Sequence, residues 1–206
     1  MKALRFSTLI AVVALVAAAP AAGADASAAA PAAGSDASAG SPQAPTMRWV
    51  SEQEYVALVG AQEAANPHFS TAPAGARMES APLDPPQHWY DIDQIDTDSR
   101  GIQIPTRHGT TDWGYEHYAT PHNLYSFRAL TAAYRSRPAV DQGAHAEYNG
   151  YLVSGTVTIA QIHTVAQLAY STDNGSHVTF DGRYIGTITA YCVGVSRCPD
   201  AVNANG

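Results

Sequence analysis

The sequence Y-L-V-S-G-T-V-T-I-A-Q-I-H, Tyr151–His163, decides the fold class of this chain. It is rich in β-branched residues and partly alternates between apolar and polar positions, as a strand with one covered face does. Ser154-Gly155 interrupts the run, so the pattern predicts either one strand or two strands broken at this point. The C-terminal part of the chain is therefore expected to form a sheet.

Two tight-turn signals follow downstream, at Asp173-Asn174-Gly175 and at Asp181-Gly182. The second lies between residues 177–180 and residues 183–191, both of which have strand-like composition. A two-residue turn joins antiparallel strands. The sequence therefore predicts a β-hairpin about Asp181-Gly182 within an antiparallel sheet.

Upstream of residue 66 the pattern is helical. Ser51 and Glu54 have the spacing of a capping box, and apolar residues follow at helical intervals until Asn66-Pro67. This predicts a first helix over about 51–65. Residues 68–99 are rich in proline, which disfavours regular structure, so this segment is expected to wrap the surface. Its expected apolar anchors are Trp89, Tyr90, Ile92 and Ile95.

A second helix is predicted from Thr120, as N-cap, to a point before Pro138, with Pro121 at its first helical position. One face of this helix would be apolar and the other would carry Arg128 and Arg135. The apolar face comprises Leu124, Phe127, Leu130, Thr131 and Tyr134. His122 and Asn123 would lie in the first turn, where free backbone N–H groups favour an anion.

The expected fold is therefore α+β, with N-terminal helices packed on a C-terminal three- to four-stranded antiparallel meander. Residues 46–206 are long enough for a single globular domain with its own core. Residues 25–45 contain almost only Ala, Ser, Gly, Pro and Asp, which predicts a disordered linker.

Residues 1–24 have the composition of a signal peptide: Lys2 and Arg5 precede an apolar run, and Ala22-Gly23-Ala24 ends it. The apolar run is too short to span a bilayer, so we expect no membrane span and a secreted or periplasmic protein. Export to an oxidising compartment favours a disulfide between Cys192 and Cys198, the only cysteines.

The charge balance counts against a processive or non-specific nucleic-acid-binding protein. The net charge is −7 and Lys2 is the only lysine, so the chain has no general electrostatic attraction for nucleic acid. A compact site could still bind a phosphate through arginines, because the guanidinium fork matches phosphate geometry.

The richest cluster of chemically useful side chains is R-H-G-T-T-D-W-G-Y-E-H-Y-A-T-P-H-N, residues 107–123. It contains His108, His117 and His122 beside Asp112 and Glu116. Histidine exchanges protons near neutral pH, so this clustering indicates acid and base catalysis.

These motifs resemble those of a known superfamily. His108-Gly109, Trp113–His117 and Pro121–Asn123, followed downstream by G-T-I-T-A-Y at 186–191, are similar to the pattern of bacterial toxin ribonucleases of the barnase, EndoU, colicin and RelE-like superfamily. The resemblance spans about residues 100–200. It implies an exported, metal-independent endoribonuclease that cleaves RNA by attack of the ribose 2′-hydroxyl. It also implies an RNA substrate, a cognate inhibitor protein and no cofactor.

The resemblance also implies roles for particular residues. His117 would be the general base and His108 or His122 the general acid, while Thr189 and Tyr191 would contact the phosphate. The positive charge would come from Arg107 or Arg183, because no lysine is left after export. The remaining substrate contacts would be Trp113 and Thr187.

Three alternatives remain open. The first is a non-enzymatic exported binding or inhibitor domain, with Trp113, Tyr115 and Tyr118 as an aromatic recognition patch. The second is a metal site built from the same histidines with Asp112 or Glu116, although their spacing matches no compact zinc signature. The third arises because Gln161-Ile162-His163 resembles a strand of jelly-roll alginate lyases, a fold that needs more strands than this domain has room for. Each histidine could also serve only in packing or hydrogen bonding.

Overall fold

The computed structural model describes residues 46–70 and 87–204. The predicted signal peptide (1–24) and linker (25–45) lie outside the described residues, as does the middle of the proline-rich segment 68–99. No helix within 46–70 and 87–204 is long and apolar enough to cross a membrane.

The chain alternates strands and helices. In order, the elements are β1 (Met47–Ser51), α1 (Glu52–Val59), α2 (Ala61–Ala65), β2 (Ile92–Thr97), β3 (Gln103–Arg107), α3 (Tyr115–His122), α4 (Phe127–Tyr134), β4 (Val140–Asp141), β5 (His145–Ser154), β6 (Val157–Gln167), β7 (Gly186–Cys192) and α5 (Asp200–Ala204). The main sheet has the strand order β1-β5-β6-β7, with β4 also paired to β5, and all of its pairs are antiparallel. Strands β2 and β3 form a separate antiparallel pair.

The fold class is therefore α+β with antiparallel sheets, but the predicted N-terminal position of the helices is wrong. β1 precedes α1, and α3 and α4 lie between β3 and β4 in the chain. β1 joins the main sheet by pairing with β5, Met47 opposite Ser154.

Two local predictions are confirmed. The capping box at Ser51 is formed: its hydroxyl accepts from the Glu54 N–H, and the Glu54 carboxylate accepts from the Ser51 N–H. The first helical stretch is split, because Gly60 has φ +88° and separates α1 from α2. The break at Ser154-Gly155 does separate two strands, β5 and β6, which pair antiparallel along their length.

The helix predicted from Thr120 to a point before Pro138 is present only in its second part, as α4, and its predicted start at Thr120 is wrong. Helix α3 begins earlier and ends at Asn123, which adopts the left-handed conformation (φ 53°) that terminates helices. A new helix, α4, starts after Ser126. His122 therefore lies in the last turn of α3, where backbone carbonyls favour a cation rather than the expected anion.

The predicted hairpin about Asp181-Gly182 is also wrong. β7 begins only at Gly186 and pairs with β6, so residues 168–185 form a long connection. The Asp181 carboxylate accepts two hydrogen bonds from the buried Arg107 guanidinium instead of closing a strand turn. The only pairing within this connection is an isolated bridge between Ser171 and Val178.

One face of the main sheet is covered by α4. The backbone at Ala133 packs so close to Gly150 that a Cβ there would lie 2.7 Å from the Ala133 nitrogen. Alternate residues of β5 and β6 on this side, such as Tyr148 and Ile162, are fully buried. At one end of the opposite face, Tyr55 of α1 stacks on Tyr151 with ring centroids 3.9 Å apart. Beyond this aromatic end, the opposite face carries mostly polar side chains of β5, β6 and β7.

Candidate active site

The polar side chains on the open side of the main sheet form what we call the histidine face. They come from alternate positions of three neighbouring strands and surround the apolar Val165 of β6: His145, Glu147 and Asn149 of β5, Gln161 and His163 of β6, and Thr189 and Tyr191 of β7. The strand register places Asn149, His163 and Tyr191 side by side, and Glu147, Val165 and Thr189 side by side. Alternation along paired strands therefore gathers these groups.

A carboxylate holds two imidazoles on this face. Glu147 Oε1 lies 2.8 Å from His145 Nε2, and Glu147 Oε2 lies 3.2 Å from His163 Nε2. The hydrogen bond from His145 and the nearby His163 hold the pKa of the Glu147 carboxyl below its usual range, although partial burial opposes this. Glu147 is therefore an anion that fixes the orientation of both rings.

His163 is bound at both ring nitrogens. Its Nδ1 lies 3.0 Å from Asn149 Oδ1, and its Nε2 faces the Glu147 carboxylate. These two contacts fix the orientation of the His163 ring on the histidine face.

Tyr191 connects the sheet to helix α3. Its ring centroid is 5.3 Å from that of His163 and 6.1 Å from that of His122. The His122 ring is in turn 6.2 Å from the His117 ring. Three imidazoles and a phenol therefore form one continuous surface across β6, β7 and α3.

His117 and His122 are held in the same way. His117 Nδ1 lies 2.8 Å from the Thr111 carbonyl oxygen, and His122 Nδ1 lies 3.4 Å from the Ser196 carbonyl oxygen. Because a carbonyl only accepts, each Nδ1 donates. Within the part of the chain that the structure describes, neither Nε2 has a hydrogen-bond partner, so both are available to a substrate.

The predicted disulfide is present beside this site. The Cys192 and Cys198 sulfurs are 2.05 Å apart, and the bridge closes a short loop after β7. Within that loop the exposed Arg197 donates to the Thr120 and Pro121 carbonyls at the end of α3, at 2.9 and 3.3 Å. Arg197 thus places a guanidinium at the C-terminal end of α3, a position that the sequence alone did not reveal.

A cavity of about 280 Å³ adjoins the histidine face at His145 and Val165. Its walls include Trp113 and His177, whose rings meet edge-on with centroids 5.5 Å apart, and the buried Gln167. Trp113 itself is only 5% exposed. This predicted substrate contact therefore lines a cavity beside the histidines.

Four other predicted site residues lie elsewhere. His108 is buried with its Nδ1 3.5 Å from Asp93. Arg107 is 1% exposed and its guanidinium is bound to Asp181 and to backbone carbonyls. Thr187 is fully buried and shares a hydrogen bond with Tyr134, while Arg183 donates to Gln103 on the molecular surface. The structure does not bring these side chains to the histidine face.

The alternatives fit less well. Two members of the predicted recognition patch, Trp113 and Tyr118, are buried, and Tyr115 stacks on Phe127, so this patch is not exposed as such. Among residues 46–70 and 87–204, no group of three potential ligands is arranged to hold a metal ion. A helix rather than a second sheet covers the main sheet, which differs from a jelly roll.

The sequence analysis assigned no role to Glu147, Asn149, His145 or Arg197, and considered His163 only as a member of other kinds of site. The signal was present in H-A-E-Y-N, residues 145–149, where polar and small or aromatic residues alternate as on a half-exposed strand. Recognising it requires the register that pairs Asn149 with His163.

Chemically, the site combines two imidazoles with free Nε2 atoms, a phenol, a hydroxyl and, at the end of α3, the guanidinium of Arg197. These are the groups needed to move protons on and off a phosphodiester. No match to this chain was found among protein-family models, among curated proteins or among solved structures.

Proposed function

We propose that this protein is an exported, metal-independent endoribonuclease that cleaves RNA by attack of the ribose 2′-hydroxyl. One observation carries the proposal: the rings of His117 and His122 lie beside Tyr191 of the T-A-Y motif, with the two histidine ring centroids 6.2 Å apart. Each histidine is held through Nδ1 and has a free Nε2. The resemblance to toxin ribonucleases named the same histidines and the same tyrosine.

The assignment of base and acid is the one that the resemblance implies, and the hydrogen bonds at Nδ1 are compatible with it. Neutral His117, with its Nδ1–H donated to Thr111, has an Nε2 lone pair that accepts the 2′-hydroxyl proton. The 2′-oxygen then bonds to phosphorus as the P–O5′ bond breaks. Protonated His122 donates its Nε2 proton to the leaving 5′-oxygen. The products are a 2′,3′-cyclic phosphate and a 5′-hydroxyl.

The phosphorane that forms carries extra negative charge, and the chain has no lysine near it. The guanidinium of Arg197, held at the end of α3, is the fixed positive charge that we assign to this site. Thr189 and Tyr191 supply hydroxyl groups for the phosphoryl oxygens. Local positive charge thus replaces the general basic surface that a net charge of −7 rules out.

The neighbouring cavity is suited to a base of the substrate. At about 280 Å³, with edges of Trp113 and His177 in its walls, it can accept a planar ring. The carboxylates of Asp112 and Asp173 at the same cavity disfavour a phosphate there. We therefore place a base in the cavity and the scissile phosphate on the histidine face.

The test is incubation of the purified protein with mixed RNA in the presence of a chelator. Wild type should give ends that carry 2′,3′-cyclic phosphate, and His117→Ala and His122→Ala should each lower the rate about 10²- to 10⁴-fold. His68→Ala is the matched control, because the His68 side chain is 86% exposed and pairs only with Glu63. An inactive wild type, or equal activity in all variants, would refute the proposal.

Export and a cognate inhibitor belong to the same proposal. The disulfide supports export because such bridges persist in oxidising compartments.

An inhibitor protein would be expected to cover the histidine face, since that surface holds the reactive Nε2 atoms. Co-purification of a tagged inactive His117→Ala variant with a protein that blocks RNA cleavage would support this, and loss of the complex on Tyr191→Arg would locate it.

A further inference from the structure

A second concave surface lies on the helical side of the main sheet, between β1 and α4. We call it the arginine groove. It has a volume of about 550 Å³ and is lined by Arg48, Trp49, Glu54, Arg128 and Arg135, among others. Three of the few arginines in an acidic protein therefore border one cavity.

The helix geometry explains how two of them meet. Arg128 and Arg135 are seven residues apart on α4, so they project from the same face, with Thr131 and Ala132 between them. At 1.5 Å per residue their backbones are about 10.5 Å apart along the helix axis. Two guanidinium groups at this spacing can bind two phosphate groups of one ligand.

The charges in this groove are not neutralised by ion pairs. Within the described residues, Arg100 and Arg107 pair with aspartates, whereas the side chains of Arg48, Arg128 and Arg135 have no ion-pair partner. The pKa of the Glu54 carboxyl lies below its usual range, first because the Ser51 N–H donates to it, and also because Arg48 and Arg135 are near. That carboxylate is thus occupied by the helix cap and leaves the groove positive.

The arginines therefore share one concave surface. Arg48, Arg128 and Arg135 all line it, and Thr131 lies between the two arginines of the helix.

We propose that the arginine groove binds phosphate groups, either of a nucleotide or of an RNA chain. The planar guanidinium forks match phosphate oxygens, and a concave groove of this size holds a nucleotide or a single strand rather than the flat surface of an acidic protein. The groove lies on the α4 side of the main sheet, whereas the histidine face is on the other side, so this inference does not depend on ribonuclease activity.

The experiment uses the purified protein with three probes: inorganic pyrophosphate, a 12-nucleotide 2′-O-methyl RNA that cannot undergo 2′-hydroxyl attack, and an oligoglutamate of the same charge. The variants are Arg128→Gln/Arg135→Gln and, as a matched control, Arg137→Gln, an exposed arginine outside the groove. Binding is measured by calorimetry at several salt concentrations, and the unfolding midpoint is measured with and without pyrophosphate.

The wild type and Arg137→Gln should bind phosphate probes, and the double variant should bind them at least tenfold more weakly. For the RNA, the slope of log K against log salt should fall by about 1.4, because about 0.7 is lost for each arginine–phosphate contact. Pyrophosphate should raise the unfolding midpoint of wild type but not of the double variant, which should be folded because both arginines are exposed and unpaired.

Pyrophosphate binding as tight as RNA binding would identify a small phosphorylated ligand, and much tighter RNA binding would identify a nucleic-acid chain. The proposal is overturned if no phosphate probe binds, if the double variant binds within twofold of wild type, or if oligoglutamate binds as tightly as the phosphate probes.

Discussion

Replacing Arg107 with Met tests whether this arginine is structural. Its side chain is 1% exposed and donates to the Asp181 carboxylate at 2.9 Å and to the Tyr90 and Tyr184 carbonyls. Burial raises the pKa of the Asp181 carboxyl, but hydrogen bonds from the Arg183 N–H and the Arg107 guanidinium outweigh this and hold it below its usual range. A methionine side chain has a similar length to that of arginine but no hydrogen-bond donor.

The expected loss follows from these contacts. Breaking a buried ion pair by removing one partner costs about 3–5 kcal/mol. Asp181 is 30% exposed and water can solvate it after the substitution, so we expect the lower end, about 3 kcal/mol. For a domain of this size that corresponds to a fall of roughly 6–12 °C in Tm.

Urea and thermal unfolding measure this effect, with Arg183→Met as the control, because Arg183 makes one exposed hydrogen bond to Gln103. The control should change the free energy of unfolding by less than about 0.5 kcal/mol. Arg107→Met should keep its RNA-cleaving activity at temperatures where it is folded. A loss below about 1 kcal/mol would contradict the structural role of Arg107. A folded variant without activity would show that Arg107 is needed for cleavage.

Three further predictions concern stability. Cys192→Ser/Cys198→Ser should lose about 2 kcal/mol by denaturant unfolding, the loop-entropy value for a separation of 6 residues, and an unchanged midpoint would contradict this. Gly186→Ala should lose more than about 3 kcal/mol, because its Cβ would clash with the backbone oxygen of Pro105. Gly182→Ala, with similar φ and open space, should lose only about 1 kcal/mol, and equal losses would disprove the steric cause. Burial raises the pKa of Asp96 above 3.8, so its contribution to stability is complete below that pH and is lost as pH rises through the folded value. Asp96→Asn should therefore gain stability relative to wild type between pH 4 and pH 7, and a constant difference across that range would count against the raised pKa.

Local features of the fold were predictable because they depend on neighbouring residues. The capping box needs only Ser51 and Glu54, three residues apart, and the turn at Ser154-Gly155 needs only a break in a β-branched run. The disulfide could be predicted from export to an oxidising compartment and from the presence of only two cysteines. In each case the deciding contacts lie within a few residues or within the only available pair.

The end of helix α3 could not be predicted in this way. Pro121 favours the first turn of a helix, yet here it lies in the last turn of α3, and the apolar spacing continues past Asn123. Contacts distant in sequence decide the break: the Asn123 side chain donates to the Cys198 carbonyl, and the Asn203 side chain accepts from the Tyr125 N–H. These partners are 75 and 78 residues away.

The hairpin prediction failed for a similar reason. Asp181-Gly182 does turn the chain, since Gly182 has φ +72°, but Arg107 binds Asp181 from 74 residues away. Turn composition therefore located a bend without revealing which strands it joins. β7 consequently pairs with β6 through a long connection, and this register places Tyr191 beside His163.

The candidate site was predictable only in part. His117 and His122 are close in sequence, and Tyr191 was named by resemblance, so these three could be proposed from the sequence. Glu147 and His163 join them only because β5, β6 and β7 pair in register. His108 lies one residue beyond β3, where burial beside Asp93 directs it away from the other histidines.

The most direct measurement uses a synthetic DNA strand that contains a single ribonucleotide, incubated with the purified protein in chelator. If His117 and His122 act on a 2′-hydroxyl, the strand is cut only at the 3′ side of that ribonucleotide and leaves a 2′,3′-cyclic phosphate, and a 2′-O-methyl group at the same position abolishes the cut. Cleavage at deoxyribonucleotides, or no cleavage of this strand and of mixed RNA, would contradict the role we give to the histidine face.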